Sequence, residues 1–395
     1  MHQRIGAVLP TTCFIIFEYD SIRIMNKPER VIVFFIDGLH WRAPEKLNMP
    51  VFNGLIKEGT YIQQSNMIMP HHPTVGEYGR IHNSSFPNPV LQEGTLFIKQ
   101  GNKMLQDVFP ANQITAFVVN TKAYTSVSNG FTINIHNPGM TDEQVTKQSI
   151  ELLHEYDVRY FRIHLQTPGN EGRFLSYTTP DKSYYRNIWG AGSPYVDAVE
   201  NADRLLGVLI DDLKQTGKWE STLLIVTSDH GQSEKGWHPM VDKDSVITPM
   251  LFAGPSIAKN RQLSYFEHTD LTPTIAGLMN LEQPNKDGGS GIFVKEVMQT
   301  VDASSFNHPG YIQAINQQLN DFNALRARVM IAGEKDSYYS SLISYLENEL
   351  LTPEPFYHQD RFLEWYKAGR TQHLVEANDK ILKQMRDELA KLKNI

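Results

Sequence analysis

The stretch TLLIVTSDHG, residues 222–231, decides the fold. It is a continuous apolar run, rich in β-branched residues, that stops at a polar turn with a glycine, as the central strands of parallel sheets do. A second stretch of this kind, VIVFFIDG, occupies residues 31–38. Because parallel strands end at one edge of their sheet, we expect Asp37 and Asp229 to lie on the same edge.

Strands and helices alternate outward from these two stretches. Further strands are predicted at 114–119, 160–165 and 249–253, and helical apolar spacing is found at 48–59 and, most clearly, at 195–213. This order predicts an α/β fold, a doubly wound and mostly parallel sheet with helices on both faces and its site beyond the carboxyl ends of the strands.

The strand pattern fades after about residue 300, where polar, helical sequence follows. We therefore predict a catalytic domain at 25–300 and a helical C-terminal extension at 301–395 packed on it. The apolar residues of its last segment, 374–392, would serve a partner helix or the parent domain alike, so the oligomeric state stays open.

The first residues, 1–24, are predicted to be a poorly ordered extension. Their apolar stretch at 7–17 contains a proline and lacks a small-residue cleavage site, so it matches a signal peptide poorly, and Met25 is an alternative start. A cytoplasmic location is slightly favoured over export.

Composition excludes several classes of function. The 37 Lys and Arg residues against 44 Asp and Glu give a net charge of −7, which offers no basic field for a nucleic acid polymer. No apolar run reaches the roughly 18 residues that a membrane helix needs, so no membrane contact is expected. The single cysteine, Cys13, supplies no thiolate cluster, so any metal must be bound by oxygen and nitrogen.

Acids and imidazoles at the strand ends form the first candidate site. Asp37 follows one strand, Asp229 and His230 follow another, and His238 comes after a short loop containing glycine. Such an oxygen and nitrogen ligand set suits zinc or manganese. Each residue taken alone is commonly a helix cap or a packed side chain, but clustered carboxylates repel one another unless a cation neutralises them.

The loop MPHHPTVG, residues 69–76, is the second candidate. Its two prolines fix the backbone and present Thr74 near a helix start. A threonine hydroxyl becomes a usable nucleophile when a dication lowers its pKa, whereas a plain N-cap is the ordinary role of such a residue. His71 and His72 are surface loop residues by default.

Together these pieces resemble the alkaline phosphatase superfamily, most of all its nucleotide pyrophosphatase/phosphodiesterase branch. The resemblance covers about residues 28–280. It is carried by IDG at 36–38, the P-x-x-P-T loop ending at Thr74, SDHG at 228–231, KGWH at 235–238, TPMLFAGP at 248–255 and HTDLTPTIAGL at 268–278.

The resemblance implies a metal-dependent hydrolase of phosphate diesters or related phosphoesters. In this family pattern Thr74 is the nucleophile and binds one metal together with Asp37, Asp229 and His230, while His238 belongs to a second metal. A phospho-threonine forms and is then hydrolysed. The implied partner is a small-molecule phosphoester substrate.

The chain departs from the family at the second metal. The family's Asp-x-x-Gly-His signature appears here with Gln166 and Asn170 in place of the acid and the histidine. Neutral amides are weak zinc ligands, so we expect one zinc ion, with manganese possible and the second ion weak or absent. Glu171 or Arg173 would either replace the charge that is missing at the second metal site or be an ordinary surface residue.

Three other functions are weighed against this one. A phosphomutase is disfavoured because the comparable mutases carry a large inserted domain, whereas only 91 residues separate Thr74 from Gln166. A non-catalytic or altered-specificity relative would bind an anionic ligand in the same cleft, as the loss of two second-site ligands suggests. A sulfatase is disfavoured because sulfatases make an aldehyde nucleophile from cysteine or serine. Substrate identity is open; Trp41, His71 and His72 are candidate substrate-binding residues, with an aromatic-rich loop at 173–192.

Overall fold

The computed structural model describes residues 27–67, 89–92, 95–98, 103–239, 242–284, 291–345 and 371–391. Three residues of the predicted nucleophile loop, His71, His72 and Thr74, lie outside the described residues, as does the predicted N-terminal extension at 1–24.

Strands and helices alternate along the described chain. The strands are β1 (Arg30–Ile36), β2 (Gly59–Asn66), β3 (Pro89–Gln92), β4 (Thr95–Ile98), β5 (Ile114–Val119), β6 (Ile133–His136), β7 (Val158–Leu165), β8 (Thr222–Thr227), β9 (Ile247–Ala253), β10 (Arg261–Gln262) and β11 (Phe266–Glu267). The helices are α1 (Ala43–Lys46), α2 (Pro50–Glu58), α3 (Asp142–Glu155), α4 (Thr167–Leu175), α5 (Pro194–Gln215), α6 (Leu271–Leu278), α7 (Tyr311–Gly333), α8 (Ser337–Tyr345) and α9 (Thr371–Lys391). Short 3₁₀ helices cover Leu105–Val108, Thr125–Val127, Trp219–Ser221, Lys243–Val246, His268–Asp270 and Lys295–Val297.

The main sheet has the strand order β10-β2-β9-β8-β1-β7-β5-β6, and β11 pairs with β2. Within it β9 is antiparallel to both neighbours, whereas the other pairs are parallel. The predicted α/β class with a mostly parallel sheet is therefore confirmed. Because β9 runs against β8, the start of β9 lies at the edge where β1 and β8 end.

The two-sided burial of the central strands explains their unbroken apolar sequence. All seven residues of β1 are buried. Val31, Val33 and Phe35 pack into the core on one face of the sheet, and alternate residues such as Phe34 pack into the core on the other. Helix α5 lies over that second face and buries one apolar stripe along its length.

The C-terminal helices pack on the sheet edge through a third apolar cluster. Met67 and Val246 contribute to this cluster from the catalytic part of the chain, and α7, α8 and α9 supply the rest. The apolar face of α9 is thus buried within the chain, with Met385 at 1% exposure. Helical structure is found here as predicted, while the boundary at residue 300 stays a prediction.

Among the residues that the structure describes, no helix is both long enough and apolar enough to cross a bilayer.

Candidate functional site

Asp37 and Asp229 follow neighbouring strands of the sheet, and the structure brings their carboxylates together. They come one and two residues after β1 and β8 respectively, which pair in parallel. The hydroxyl oxygen of Tyr124 lies 3.2 Å from Oδ2 of Asp37 and 2.9 Å from Oδ2 of Asp229, so its single proton is shared between the two carboxylates. The two carboxylates therefore share one small, buried space at the edge where the sequence placed them.

His230 turns one ring nitrogen toward this pair. Its Nε2 lies 3.5 Å from Oδ2 of Asp229 and 3.7 Å from Oδ1 of Asp37. Its Nδ1 lies 2.8 Å from the carbonyl oxygen of Gly231, which only accepts hydrogen bonds, so the ring proton is on Nδ1. This contact leaves Nε2 facing the carboxylates, the arrangement that metal-binding histidines use.

His164 is a further member of the site that the sequence did not reveal. It is the next-to-last residue of β7, fully buried, and its Nε2 lies 3.0 Å from Oδ2 of Asp37. Ligand atoms of Asp37, His164 and Asp229 all lie within 4.8 Å of one another. Burial lowers the pKa of His164 to about 4, even though the charge of Asp229 opposes this, so the imidazole is neutral at pH 7.

The two carboxylates differ in their electrostatic situation. Burial, and next the charge of Asp229, raises the pKa of Asp37 well above its ordinary value. At Asp229 burial also disfavours the charge, but the neighbouring His230, with a smaller contribution from the Tyr124 hydrogen bond, outweighs it and lowers the pKa. A dication between the two would remove their repulsion, and two carboxylates with two imidazoles are a donor set that fits Zn²⁺ or Mn²⁺.

Glycines let the backbone come close to this centre. A Cβ on Gly169, in the first turn of α4, would lie 1.6 Å from Oδ1 of Asp37. Gly38 has a φ of +60°, which favours glycine, and a Cβ there would meet Gly169 and Gln232. Gln232 itself is fully buried, and its side-chain amide has no hydrogen-bond partner among the described residues.

His238 packs against His230. The centroids of the two rings are 4.2 Å apart, and His238 also stacks on Trp237 at 4.5 Å. Trp237 has a φ of +63°, a strained conformation for a bulky residue, and the guanidinium of Arg173 lies 4.7 Å from its ring centre. The candidate second-metal ligand is thus held in an aromatic stack beside the first site.

The two amides that are predicted to stand in place of second-metal ligands are placed differently. The side chain of Gln166 hydrogen-bonds to Asp37, so it belongs to the first site. Asn170 is exposed, one helical turn farther along α4. The structure therefore does not bring these two side chains to one point.

Trp41, the described member of the candidate substrate-binding residues, has a definite partner. Its indole N–H donates to Oδ1 of Asp244 at 2.9 Å, and its ring stacks with His40. The indole is half-buried. Its contact with a substrate stays a prediction.

The chain enters the segment that contains Thr74 from the site edge of the sheet. Met67, directly after β2, donates its N–H to the carbonyl oxygen of Val246 at 3.0 Å. Because β2 and β8 both run antiparallel to β9, the end of β2 and the end of β8 lie at the same edge. The last described residue before the loop is thus at the edge that holds Asp37 and Asp229.

Two comparisons concern sequence. Residues 88–281 match the model of the family named Sulfatase. Choline-sulfatase of Rhizobium meliloti is 35% identical over 112 residues, which cover 26% of this chain and 22% of that protein. Bis(5'-adenosyl)-triphosphatase ENPP4 of Bos taurus is 21% identical over 65% of this chain and 56% of its own length. The matched part of the chain thus covers from about a fifth to about half of the length of these relatives.

Solved structures share the fold. Murine ectonucleotide pyrophosphatase/phosphodiesterase 5 superposes with a TM-score of 0.51 at 16% identity, over 68% of this chain and all of that one. An inactive Thr-to-Ala form of the same murine protein was solved in complex with AMP, at a TM-score of 0.50. A phosphonate monoester hydrolase from Silicibacter pomeroyi has a TM-score of 0.55 at 14% identity, over 71% and 78% of the two chains.

Proposed function

The chain carries a sulfatase-family domain of the alkaline phosphatase superfamily, and on this premise we propose that it is a metal-dependent hydrolase of phosphate diesters or related phosphoesters. The observation that carries the proposal is the buried group of two carboxylates and two imidazoles where β1, β7 and β8 end. In this proposal Asp37, Asp229 and His230 hold one cation, with His164 beside them.

A cation bound there would lower the pKa of a nearby hydroxyl and offset the charge of a phosphoryl group. Neighbouring residues of the chain orient the side chains that would bind the cation. Tyr124 holds the two carboxylates in one orientation, and Gly231 fixes the tautomer of His230. Gln166 donates to Asp37 and so favours its charged form.

Thr74 is the proposed nucleophile. Its oxygen attacks phosphorus while the bond from phosphorus to the leaving oxygen breaks, which gives a phospho-threonine that water then hydrolyses. Two observations support this role: Met67 leads into the Thr74 segment from the site edge, and the Thr-to-Ala form of the murine relative is inactive.

We propose that this site holds one ion and not two. The side chain of Gln166 is engaged with Asp37, and Asn170 is exposed, so neither supplies a replacement for the family's second-site acid and histidine. His238 would then act from beside His230 as a hydrogen-bonding group toward the phosphoryl oxygens or the leaving group.

Sulfate-ester hydrolysis is the second candidate, because the matching family is named Sulfatase and one relative is a choline-sulfatase. The two chemistries differ at the nucleophile, since threonine cannot form the aldehyde that the sulfatase reaction uses. The chain's P-x-x-P-T loop therefore favours phosphoesters.

The test compares wild type with Thr74→Ala on bis(p-nitrophenyl) phosphate, p-nitrophenyl phosphate, the phenyl phosphonate ester and p-nitrophenyl sulfate, with Zn²⁺ or Mn²⁺ added. We expect turnover of a phosphoester that falls by about 10³-fold or more in Thr74→Ala. Thr125→Ala, at an exposed position, is the control and should match wild type.

Equal rates in wild type and Thr74→Ala would reject the nucleophile. Preferred turnover of the sulfate would instead favour the sulfatase alternative. A protein that binds no ion and turns over none of the four compounds would fit a relative that only binds an anionic ligand.

A further inference from the structure

A second buried group of acids and imidazole lies away from the site described above. Glu267 ends β11, Asp270 ends the 3₁₀ helix that follows, and His308 precedes α7. All three side chains are fully buried, and each offers a ligand atom within 4.8 Å of the others. Two acids and one imidazole are thus enclosed where the sheet meets the C-terminal helices.

This group is distant from the candidate active site. The strand order places β8, β9 and β2 between β1 and β11. Four inter-strand steps of about 4.8 Å amount to about 19 Å. The two groups therefore cannot share an ion.

Most polar atoms of the second group have partners that fix them in place. Asp270 accepts backbone N–H groups on both oxygens, from Ile292 and from Glu267, each at 2.9 Å. Oε1 of Glu267 accepts the hydroxyl of Tyr265 at 3.0 Å and the N–H of Ile312 at 3.2 Å. The side chains are therefore positioned before any ligand arrives.

One carboxylate oxygen of the group lacks a partner, and the ring of His308 lies against Asp270. Oε2 of Glu267 is buried and makes no hydrogen bond within the described part of the chain. The N–H of Gly310 donates to Nδ1 of His308 at 3.1 Å, so the ring proton is on Nε2, which lies 3.1 Å from Oδ2 of Asp270. A buried carboxylate oxygen without a partner is costly, and a cation is the partner that would also reduce the repulsion between the two acids.

We propose that Glu267, Asp270 and His308 form a binding site for a divalent cation such as Zn²⁺ or Mn²⁺, separate from the site at Asp37. The ligand set of two carboxylates and one imidazole is one that zinc uses elsewhere. Binding at Nε2 moves the ring proton of His308 to Nδ1 and breaks the Gly310 hydrogen bond. A proton held by Glu267 is released to solvent.

The site would fasten the C-terminal helices to the sheet. Oε1 of Glu267 already accepts the N–H of Ile312, and Tyr265 accepts that of Gln313, so the first turn of α7 rests on this group. An ion bound to the same carboxylate holds the strand end, the turn and the segment before α7 at one point.

The experiment uses the full chain, stripped with a chelator and then titrated with ZnCl₂ or MnCl₂ alone. Calorimetry and elemental analysis count the bound ions, and thermal unfolding records the stabilisation. We expect two ions in wild type, one in Glu267→Gln, one in Asp37→Asn and none in the double variant. Affinity at the second site should fall about 100-fold or more in Glu267→Gln. Glu296→Gln, a nearby carboxylate outside the group, should keep two ions.

Glu267→Gln is nearly isosteric and removes a buried charge, so the stripped variant should unfold at the wild-type temperature or above it. Should it fail to fold, His308→Asn gives the same comparison. The proposal is overturned if either variant binds as many ions as wild type with the same thermal shift. Because the readout is the loss of one ion between wild type and Glu267→Gln and is not enzymatic, failure of the proposed hydrolase would leave that difference unchanged. A wild type that binds one ion, lost in Glu267→Gln and kept in Asp37→Asn, would mean that only the Asp37 site fails.

Discussion

Gly169 shows how one missing side chain shapes the candidate active site. Since a Cβ there would lie 1.6 Å from Oδ1 of Asp37, Gly169→Ala must displace either α4 or the carboxylate. We expect a loss of about 1–3 kcal/mol in the free energy of unfolding and weaker metal binding, measured by urea denaturation and zinc titration.

Gly54→Ala is the matched control, because a Cβ at this position in α2 has nothing within 4 Å. It should stabilise the protein by about 0.5–1 kcal/mol. Unchanged metal affinity in Gly169→Ala would show that the contact of α4 with Asp37 is unimportant for the site.

Tyr124 is the second residue whose role can be isolated. Tyr124→Phe removes one hydroxyl that serves two carboxylates, and we expect metal affinity to fall by about 10-fold or more. The unfolding free energy should decrease by about 1.5–3 kcal/mol, since the lost hydrogen bonds involve charged groups. Calorimetric zinc titration measures the first effect and urea denaturation the second.

Tyr339→Phe changes a buried phenol in the C-terminal helical cluster and should leave zinc affinity as in wild type. If both substitutions had the same small effect on affinity, Tyr124 would be a packing residue only.

At the site, sequence predicted the residues that follow strand ends and missed those that do not. Asp37, Asp229 and His230 lie together as expected, because parallel strands carry their following residues to one edge. His164 lies inside an apolar strand, where a histidine looks like a core residue. Tyr124 lies in a turn that matches no motif. The residues next to it in the sequence therefore did not indicate a contact with Asp37.

At the scale of elements, α2 depends on a residue far away in sequence. Asp203 of α5 accepts the N–H groups of Val51 and Phe52 at 3.0 and 2.8 Å, and so caps the start of α2. Asp203→Ala should cost about 1–2 kcal/mol in urea denaturation.

Asp211→Ala, at an exposed position of the same helix, should stay within about 0.5 kcal/mol of wild type. An equal cost in the two variants would mean that loss of a charge on α5, and not of the cap, is responsible.

Strands buried on both faces were the most predictable elements. β1 and β8 were found where continuous apolar runs stood, and α5 where the helical spacing was strongest. β2 was missed because its sequence, GTYIQQSN, is largely polar and becomes mostly buried only when α2, β9 and β11 pack beside it. The antiparallel direction of β9 was also beyond prediction, since strand direction depends on pairing and not on composition.

At the scale of the whole molecule, the cluster that joins α7 and α9 to Met67 and Val246 ties the C-terminal helices to the sheet edge. Met385→Ala should cost about 2–5 kcal/mol and keep a single unfolding transition, followed by calorimetry and urea denaturation. The single transition is expected because the helices and the sheet share one apolar cluster.

Met330→Ala makes the same change on α7 at a side chain that is 55% exposed, and it should have little effect. A separate early transition in Met385→Ala would instead mean that residues 301–395 unfold as an independent unit.

The enclosure of the candidate active site has a kinetic consequence. The side chains of Asp37, Asp229 and His230 are 2%, 0% and 1% exposed. An ion bound by them therefore cannot leave for solvent past these side chains. Exchange would then wait for local opening of the surrounding loops. A chelator mixed with the loaded protein should remove the metal at a rate that stops depending on chelator concentration once opening becomes limiting.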